Sequence, residues 1–285
     1  MDVIQTVSEM IEHLRTVRQS AKTIALVPTM GYFHAGHLSL MEKGRELADH
    51  LVVSIFVNPA QFGPGEDLDK YPKDLERDRE LAEKTGADIL FTPDADAFYP
   101  HGYESFVVLE DLPHHLCGIH RPTHFRGVAT VVTKLFNIMA PTFAIFGRKD
   151  YQQLMIIRKM VRDLNMPVTI IDAPTIREPD GLAMSSRNSY LTPAQRVQAL
   201  GLINALENAR KQVGDGELDT KALINNAKFL IDSHPDTQID YIDICDPETL
   251  ETIDKIEGMA LMALAVKVGT PRLIDNMMLC PPGIG

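Results

Sequence analysis

The sequence predicts an α/β protein, with a Rossmann-like, doubly wound parallel sheet followed by a smaller α+β region. Short, nearly continuous apolar runs alternate with segments of helical periodicity up to about residue 175, a pattern typical of strands buried on both faces. Beyond that point the pattern changes to two helices followed by three strand-like segments. We therefore expect two domains, 1–175 and 176–285, with the second acting as a lid.

The elements are predicted in order along the chain. An amphipathic helix opens it, with apolar positions at helical spacing at Ile4, Val7, Ile11 and Leu14. Apolar runs too short for helices predict the parallel strands at 23–29, 51–58, 88–93, 142–147 and 168–172. Helices are predicted between them at 37–49, 74–85, 125–139 and 151–164. The second region is predicted to hold two helices within 192–232, broken at Gly214 and Gly216, and strands at 238–244, 259–268 and 272–276.

The composition narrows the classes of partner. The chain has 285 residues and a net charge of −11, so its overall field repels nucleic acid and anionic membranes. An anionic ligand therefore needs a local basic site. The cysteines Cys117, Cys245 and Cys280 are far apart in sequence and are expected to be thiols in a reducing compartment. The N-terminal segment is charged throughout and no window is apolar over about 18 residues, so we expect a cytoplasmic protein.

The first candidate site lies where the run 23–29 ends and a helix begins. Residues 28–37 are PTMGYFHAGH, and such a strand–helix turn lies where parallel sheets bind ligands. A helix N-terminus suits phosphate, and His34 and His37, which flank Gly36, can donate hydrogen bonds to phosphate oxygens. The alternative is that one histidine caps or packs while the other is exposed. A two-histidine metal site is disfavoured because no carboxylate or cysteine pair stands nearby.

This segment resembles the nucleotide-binding signature of the HxGH nucleotidyltransferase superfamily. The longer string PTMGYFHAGHLSL resembles one family within it, the pantoate–β-alanine ligases. The similarity continues in order through SIFVNPAQF, YPKDLERD, RPTHFRGVATVVTKLFN, FGRKDYQQL, DGLAMSSRNSYL and RLIDN. It implies an AMP-forming ligase that condenses (R)-pantoate with β-alanine through a pantoyl adenylate, with ATP as substrate. It also implies Mg²⁺ bound mainly through the ATP phosphates, and a homodimer.

The resemblance assigns the site residues. The implied ATP-binding positions are Met30, Gly31, His34, Gly36, His37, Gly147, Lys149, Asp150, Ile176, Met184, Ser185, Ser186 and Arg187. We expect His37, His34 and Lys149 to be catalytic, with His37 donating a proton in the first step. Gln61 and Gln153 are implied to bind pantoate, and Gln61 also lines the β-alanine site. No metal ligand is expected in the chain itself.

The same residues also have purely structural interpretations. Gln61 follows Pro59, which cannot continue a central strand, and is typical of a turn amide. Asp150 can cap the helix that starts at residue 151. The segment 184–187, which follows Asp180 and Gly181, can be a polar linker at the domain boundary.

Three positions near these motifs need separate interpretation. Arg148 stands where the family usually has Glu, which puts a role for this residue in doubt. Thr123 stands where the family usually has Gly, so the conformation of that loop is also in doubt. Asp78 lies near the expected phosphates, and we interpret it as an exposed helical charge, with water-mediated contact to Mg²⁺ as the alternative.

Potential metal ligands are dense in one further segment. Five fall between residues 114 and 124, namely His114, His115, Cys117, His120 and His124. We disfavour zinc because there is one cysteine, the spacing fits no standard finger, and the flanking RPTHFRG resembles a metal-free loop of the family.

Other functions remain open from the residues alone. Another adenylyl- or cytidylyltransferase would share His34, Gly36 and His37 but not NPAQF or KDYQQL. A class I aminoacyl-tRNA synthetase would need basic surface for tRNA, which a net charge of −11 leaves scarce. A degenerate nucleotide-binding protein would bind ATP without releasing pyrophosphate.

Overall fold

The structure is a computed structural model that describes residues 1–283. The chain divides into two compact units. The first unit comprises Met1–Pro113, Arg121–Arg148 and Gln153–Pro174, and the second comprises His114–His120, Lys149–Gln152 and the chain from Thr175 onward. Two short segments that precede residue 175 in the sequence therefore belong to the second unit. The division into domains 1–175 and 176–285 stays a prediction, as does the lid role of the second.

The first unit is built on a six-stranded parallel sheet. Its strands are β1 (Asp2–Ile4), β2 (Ile24–Thr29), β3 (His50–Ile55), β4 (Ile89–Phe91), β5 (Phe143–Gly147) and β6 (Thr169–Ala173). In space they run in the order β1-β4-β3-β2-β5-β6, and every pairing is parallel. The strand order reverses between β2 and β5, so their carboxyl ends flank the position at which doubly wound sheets bind ligands. The predicted α/β class is confirmed.

Both units contain helices. They are α1 (Val7–Gln19), α2 (Ala35–Leu47), α3 (Leu75–Lys84), α4 (Ala95–Phe98), α5 (Leu116–His120), α6 (His124–Met139), α7 (Tyr151–Asp163), α8 (Pro193–Gly214) and α9 (Thr220–Asp232). Met41 of α2 and Ala82 of α3 pack in one apolar cluster with Val27, Val53 and Leu90 of the strands. Burying a side chain such as Val53 contributes about 1.5–3 kcal/mol, which explains the continuous apolar runs in these strands.

The N-terminus differs from the prediction. Ile4 belongs to β1, which pairs with β4, and the helix begins only at Val7. Thr6 is its N-cap and accepts a hydrogen bond from Glu9 N at 3.3 Å. Ile11, predicted to lie on the apolar face, is exposed. A strand of three residues is too short to show a period of two. The sequence pattern therefore placed Ile4 with the helical positions that follow it.

The second unit contains a three-stranded antiparallel sheet. Its strands are β7 (Thr237–Cys245), β8 (Ala260–Val268) and β9 (Arg272–Leu279), in the order β7-β8-β9. Helices α8 and α9 cover it, with Leu206 and Leu223 in one apolar cluster with Met262. This arrangement confirms the predicted smaller α+β region. No helix within residues 1–283 is both long and apolar enough to cross a membrane.

The turn after β3 is fixed by a close approach of α6. The residues Pro59–Gln61 form a 3₁₀ turn that Asn58 caps, and Asn58 Nδ2 also donates to Gly127 O at 3.1 Å. A β-carbon added at Gly127 would collide with the carbonyl oxygen of Ala60 and lie 2.6 Å from Gln61 N. Helix α6 reaches the turn only because residue 127 has no side chain.

We expect Gly127→Ala to destabilise the protein by about 1–3 kcal/mol, because the helix or the turn must move to admit the methyl group. The urea midpoint of unfolding measures this loss. Gly214→Ala is the matched control, since a β-carbon at this other helical glycine would meet nothing within 4 Å. Its midpoint should be unchanged or slightly higher, and equal midpoints for Gly127→Ala and the unaltered protein would contradict the close approach.

Candidate active site

The turn between β2 and α2 has an unusual backbone. Thr29 Oγ1 donates to Ser54 O at 2.7 Å and accepts from Gly31 N at 3.2 Å, which ties the end of β2 to β3. Gly31 has φ +85° and Tyr32 has φ +54°, so two consecutive residues adopt the left-handed region. For a tyrosine this conformation costs about 1–2 kcal/mol, so the surrounding structure must hold it.

A buried carboxylate holds this turn. Asp78, in the first turn of α3, is 1% exposed. Its Oδ2 accepts from Tyr32 N at 2.6 Å and its Oδ1 from Phe33 N at 2.7 Å. Burial raises the pKa of Asp78, and the two backbone hydrogen bonds oppose that shift only in part. The interpretation of Asp78 as an exposed helical charge is therefore wrong, because the fold places this carboxylate under the turn.

Helix α2 is capped by the two histidines of the motif. His34 is the N-cap, and its Nδ1 accepts from Gly36 N at 3.1 Å. His37 Nδ1 in turn accepts from His34 N at 3.3 Å. A neutral imidazole that accepts at Nδ1 carries its proton on Nε2. Both histidines thus take part in the cap, rather than one capping and one lying exposed.

The cap also defines what the histidines can bind. The two rings lie with their centroids 4.1 Å apart at the start of α2, so two side chains that each carry an Nε2–H in this tautomer lie close together. A helix N-terminus adds unpaired N–H groups and the positive end of its dipole. Together these groups are suited to the oxygens of a phosphate.

Gln61 lies against the same turn. Its side chain is buried, its Nε2 lies 3.3 Å from Met30 Sδ, and its Oε1 accepts from Asn58 Nδ2 at 3.0 Å. The structure therefore brings together Met30, predicted for ATP, and Gln61, predicted for pantoate, at the carboxyl ends of β2 and β3. The Gln61 amide is therefore buried and has a contact at both its oxygen and its nitrogen, unlike an exposed turn amide.

A second network holds the backbone of Gln61. Its carbonyl oxygen accepts from Arg121 Nη2 at 3.3 Å and lies 2.9 Å from His124 Nδ1. Arg121 is also paired with Glu66 through two hydrogen bonds. Burial raises the pKa of Glu66, but the hydrogen bond and charge of Arg121 outweigh it and hold that pKa below its usual value. This role was not predicted from the sequence, although the RPTHFRG string beside α6 was an available signal.

The histidine-rich segment is not assembled as a metal site. His124 contacts Gln61 in the first unit, whereas His120 stacks on Tyr241 in the second, with ring centroids 5.9 Å apart. His115 uses its carbonyl to accept from Gln152 Nε2 at 2.7 Å. Among residues 1–283, no three or more His, Cys, Asp or Glu side chains are grouped so as to hold a metal ion.

The backbone at Thr123 has an ordinary conformation. This residue is the N-cap of α6, with φ −99° and ψ −10°. These angles lie in the right-handed region that any residue adopts, so the backbone here does not require glycine.

Arg148 belongs to an ion-pair group at the end of β5. Its guanidinium pairs with Asp172, which also pairs with Arg158. Burial raises the pKa of Asp172, but the hydrogen bond from Arg148 and the charge of Arg158 bring the net pKa below its usual value. Arg148 therefore has a structural partner, the Asp172 carboxylate.

Ile176 and Met184 are brought together by a β-hairpin spanning residues 176–184. Met184 N donates to Ile176 O at 3.0 Å, and Arg177 forms an antiparallel bridge with Ala183. Two predicted ATP-binding residues that are eight positions apart thus lie opposite each other on one small element.

The residues after this hairpin form an ordered turn. Ser185 Oγ accepts from Arg187 N at 3.3 Å and so caps the 3₁₀ turn Ser186–Tyr190. Ser186 is buried, and Asn188 Nδ2 donates to Ala183 O at 3.1 Å. The segment is therefore folded onto the hairpin and is not a plain linker.

Two adjacent residues of β9 anchor the predicted ATP-binding segments of the second unit. Asp275, 2% exposed, accepts from Arg177 Nη1 at 2.6 Å and from Arg177 Nη2 at 3.0 Å, which fixes the 176–184 hairpin. Asn276 Nδ2 donates to Lys149 O at 2.9 Å. The RLIDN string thus contributes anchors for Lys149 and the hairpin, a role that was not predicted from the sequence.

The remaining predicted residues lie around the start of α7. Gly147 ends β5, and a β-carbon added there would meet nothing within 4 Å, so packing does not impose a glycine. Lys149 and Asp150 share the 3₁₀ turn that leads into α7, with Lys149 Nζ 3.7 Å from Asp150 Oδ1. Gln152 is buried and binds the 115–117 backbone, whereas Gln153 is partly exposed.

Comparison with known proteins gives one consistent result. The model of the pantoate-beta-alanine ligase family matches residues 2–278. A pantothenate synthetase from Desulfatibacillum aliphaticivorans is 55% identical over 281 residues, covering 99% of this chain and 100% of that protein. One from Geobacter sulfurreducens is 54% identical over 279 residues, with 98% and 99% covered.

Solved structures agree. Pantothenate synthetase from Thermus thermophilus superposes with a TM-score of 0.94 at 43% identity, over 99% of this chain and 100% of that one. Pantoate-beta-alanine ligase from Francisella tularensis, complexed with beta-gamma ATP and beta-alanine, gives a TM-score of 0.78 at 32% identity, over 98% and 97%. The chain therefore belongs to the pantoate–β-alanine ligase family.

Proposed function

We propose that this chain condenses (R)-pantoate with β-alanine to form pantothenate, with ATP converted to AMP and pyrophosphate. Family membership supports the reaction, and the structure of the Francisella tularensis relative with a form of ATP and β-alanine supports the substrates. The structural observation that carries the proposal is the pair of histidines, His34 and His37, that caps the start of α2. It provides donors for a phosphate at the edge of a doubly wound sheet.

The first step forms pantoyl adenylate. A carboxylate oxygen of pantoate attacks the α-phosphorus of ATP, and the bond from that phosphorus to the bridging oxygen of pyrophosphate breaks. Negative charge on the phosphate oxygens is stabilised by the Nε2–H groups of His34 and His37, with His37 the proton donor. Removing one such donor typically costs about 10²–10³ in rate.

Cations must be gathered locally in a chain of net charge −11. We assign this role to Lys149 and Arg187, with the hydroxyl groups of Ser185 and Ser186 as further donors to the β- and γ-phosphates. Two hydrogen bonds support the assignment. Asn276 holds the backbone carbonyl of Lys149, and Ser185 Oγ holds the backbone N–H of Arg187, so the backbone of both proposed cations is fixed. Ile176 and Met184 supply apolar surface for the adenine.

The second step forms the amide bond. The amine of β-alanine attacks the acyl carbon of pantoyl adenylate, AMP leaves with the electrons of the acyl–oxygen bond, and the amine loses a proton. No covalent bond to the protein is needed, so the cysteines have no part in the chemistry. Gln61 and Gln153 are proposed to hold pantoate, and the burial of Gln61 between Met30 and Asn58 gives its amide a fixed direction.

Mg²⁺ is proposed to arrive with ATP and to be bound mainly through the phosphates. Among the described residues 1–283, no three or more His, Cys, Asp or Glu side chains are grouped to hold an ion. Both oxygens of Asp78, the carboxylate considered for that role, accept backbone N–H groups, and its side chain is buried. We therefore derive no step from a metal held by the protein.

We also propose that the protein works in the cytoplasm as a homodimer. The widely spaced cysteines, expected as thiols in a reducing compartment, support the cytoplasm, and the family resemblance supports the homodimer. Light scattering on the purified protein should give twice the monomer mass, and a monomer at micromolar concentration would contradict it.

The reaction itself has a direct test. Purified protein with ATP, Mg²⁺ and pantoate should release pyrophosphate without β-alanine, up to about one equivalent of enzyme, and sustained AMP formation should require β-alanine. This pattern separates a ligase from a nucleotidyltransferase that ignores β-alanine. ATP binding without pyrophosphate release would contradict the proposal and favour a degenerate nucleotide-binding protein.

The two functions of the histidines can be separated by substitution. His34→Asn should lower the rate of adenylate formation by about 10²–10³-fold, because asparagine can still cap the helix but has no donor at the position of Nε2. His37→Asn should lower the rate of adenylate formation to a similar extent. Stopped-flow measurement of pyrophosphate release gives the rate, and thermal unfolding gives the stability.

The alanine variants are the controls for the cap. His34→Ala should lose the same rate and also about 1 kcal/mol of stability, because the N-cap acceptor is gone. Near-normal adenylate formation in His34→Asn would rule out the donor role.

Gly147 offers a test of where ATP lies. Gly147→Ala should raise the KM for ATP roughly tenfold, which corresponds to about 1.4 kcal/mol of lost binding, without changing the melting temperature. The protein itself has room for the methyl group, so only a ligand can exclude it. Gly258→Ala, also in open space, is the control. An unchanged KM in Gly147→Ala would remove Gly147 from the ATP site.

A further inference from the structure

The turn that carries the HxGH histidines does not hold its shape by itself. Tyr32 has φ +54°, which its side chain disfavours, and Gly31 before it has φ +85°. A β-carbon at Gly31 would lie 3.0 Å from both Asp78 Oδ2 and the Ile55 side chain, so the turn passes directly over these groups. Such a backbone persists only where partners determine it.

Asp78 supplies those partners. Its two oxygens accept the N–H groups of two consecutive residues, Tyr32 at 2.6 Å and Phe33 at 2.7 Å, across 46 and 45 positions of sequence. Phe33 is fully buried, so its N–H has little access to water. A buried N–H left without an acceptor destabilises the folded state. The carboxylate therefore fixes the left-handed turn against its own strain.

The same contacts lead directly to the catalytic donors. Phe33 is followed by His34, whose N–H is bound by His37 Nδ1 and whose own Nδ1 accepts from Gly36 N. A shift of the Tyr32–Phe33 backbone would move the first residue of this cap. The path from Asp78 to the histidines therefore runs through adjacent backbone and direct hydrogen bonds only.

We propose that Asp78 is a positioning residue for adenylate formation, which directs the Nε2–H groups of His34 and His37 by holding the turn before them. This inference rests on the proposed function. It assigns Asp78 no contact with substrate or metal, because its side chain is 1% exposed and is bonded to the turn through both oxygens.

Asp78→Asn is the appropriate variant. Asparagine keeps the shape, but its amide nitrogen cannot accept, so one backbone N–H loses its partner. We expect the rate of pyrophosphate release with ATP and pantoate to fall roughly 10–100-fold, as for a lost positioning contact. Amide formation from added pantoyl adenylate and β-alanine should stay within about twofold. Glu76→Gln, which removes an exposed charge from the same turn of α3, is the control and should leave both rates unchanged.

A double-mutant cycle distinguishes positioning from an independent role. In a His34→Asn, His37→Asn background, Asp78→Asn should lower pyrophosphate release by less than about threefold further. An equal loss in both backgrounds would overturn the proposal, as would a roughly tenfold rise in the Mg²⁺ concentration needed for half-maximal rate. Should Asp78→Asn give too little folded protein, Asp78→Ser is measured in the same way against the same outcomes.

A readout that does not depend on activity keeps this inference separate from the proposed function. Asp78→Asn should shift the imidazole ¹⁵N resonances of His34 and His37, and Glu76→Gln should not. Unshifted resonances in Asp78→Asn would overturn the positioning role even if the enzyme is a ligase. Shifted resonances in Asp78→Asn, together with no pyrophosphate release by the unaltered protein, would instead contradict the proposed function.

Discussion

The reciprocal hydrogen bonds at the start of α2 are the constraint on which the chemistry of the first unit depends. His34 and His37 each accept a backbone N–H at Nδ1, so the helix cap decides which nitrogen carries the proton. The same two side chains therefore satisfy the orphan donors of a helix and present Nε2–H groups to a ligand. A structural role and a catalytic role are usually alternatives for a histidine, whereas here the structural role sets the tautomer that the proposed catalytic role requires.

Each unit supports its candidate residues from strands and helices outside the motif itself. In the first unit, Asp78 holds the turn before His34, while Arg121 and His124 hold the carbonyl of Gln61. In the second, Asp275 and Asn276 of β9 hold the 176–184 hairpin and the turn of Lys149. Asp78 and Asp275 are buried and Arg121 is ion-paired, so these groups hold the backbone that carries the candidate side chains.

Much of the fold could be predicted from local patterns. Buried strands appear as apolar runs and helices as 3.6-residue periods, so β2 to β9 and the long helices were predicted from sequence within a few residues. β1 was missed because three residues show no period. The burial of Asp78 was missed because its partners are 45 and 46 residues away, and no local pattern encodes such a contact. The roles of Arg121 and Asp275 were missed for the same reason.

The tautomeric state of His34 and His37 is the most direct test of the central claim. It is given by the ¹⁵N chemical shifts of the imidazole nitrogens at a pH where both rings are neutral, with the resonances assigned through His34→Asn and His37→Asn. We expect both rings to carry the proton on Nε2, with Nδ1 unprotonated. A proton on Nδ1 of either ring would contradict the claim, because that nitrogen could then neither cap α2 nor leave an Nε2–H donor for phosphate.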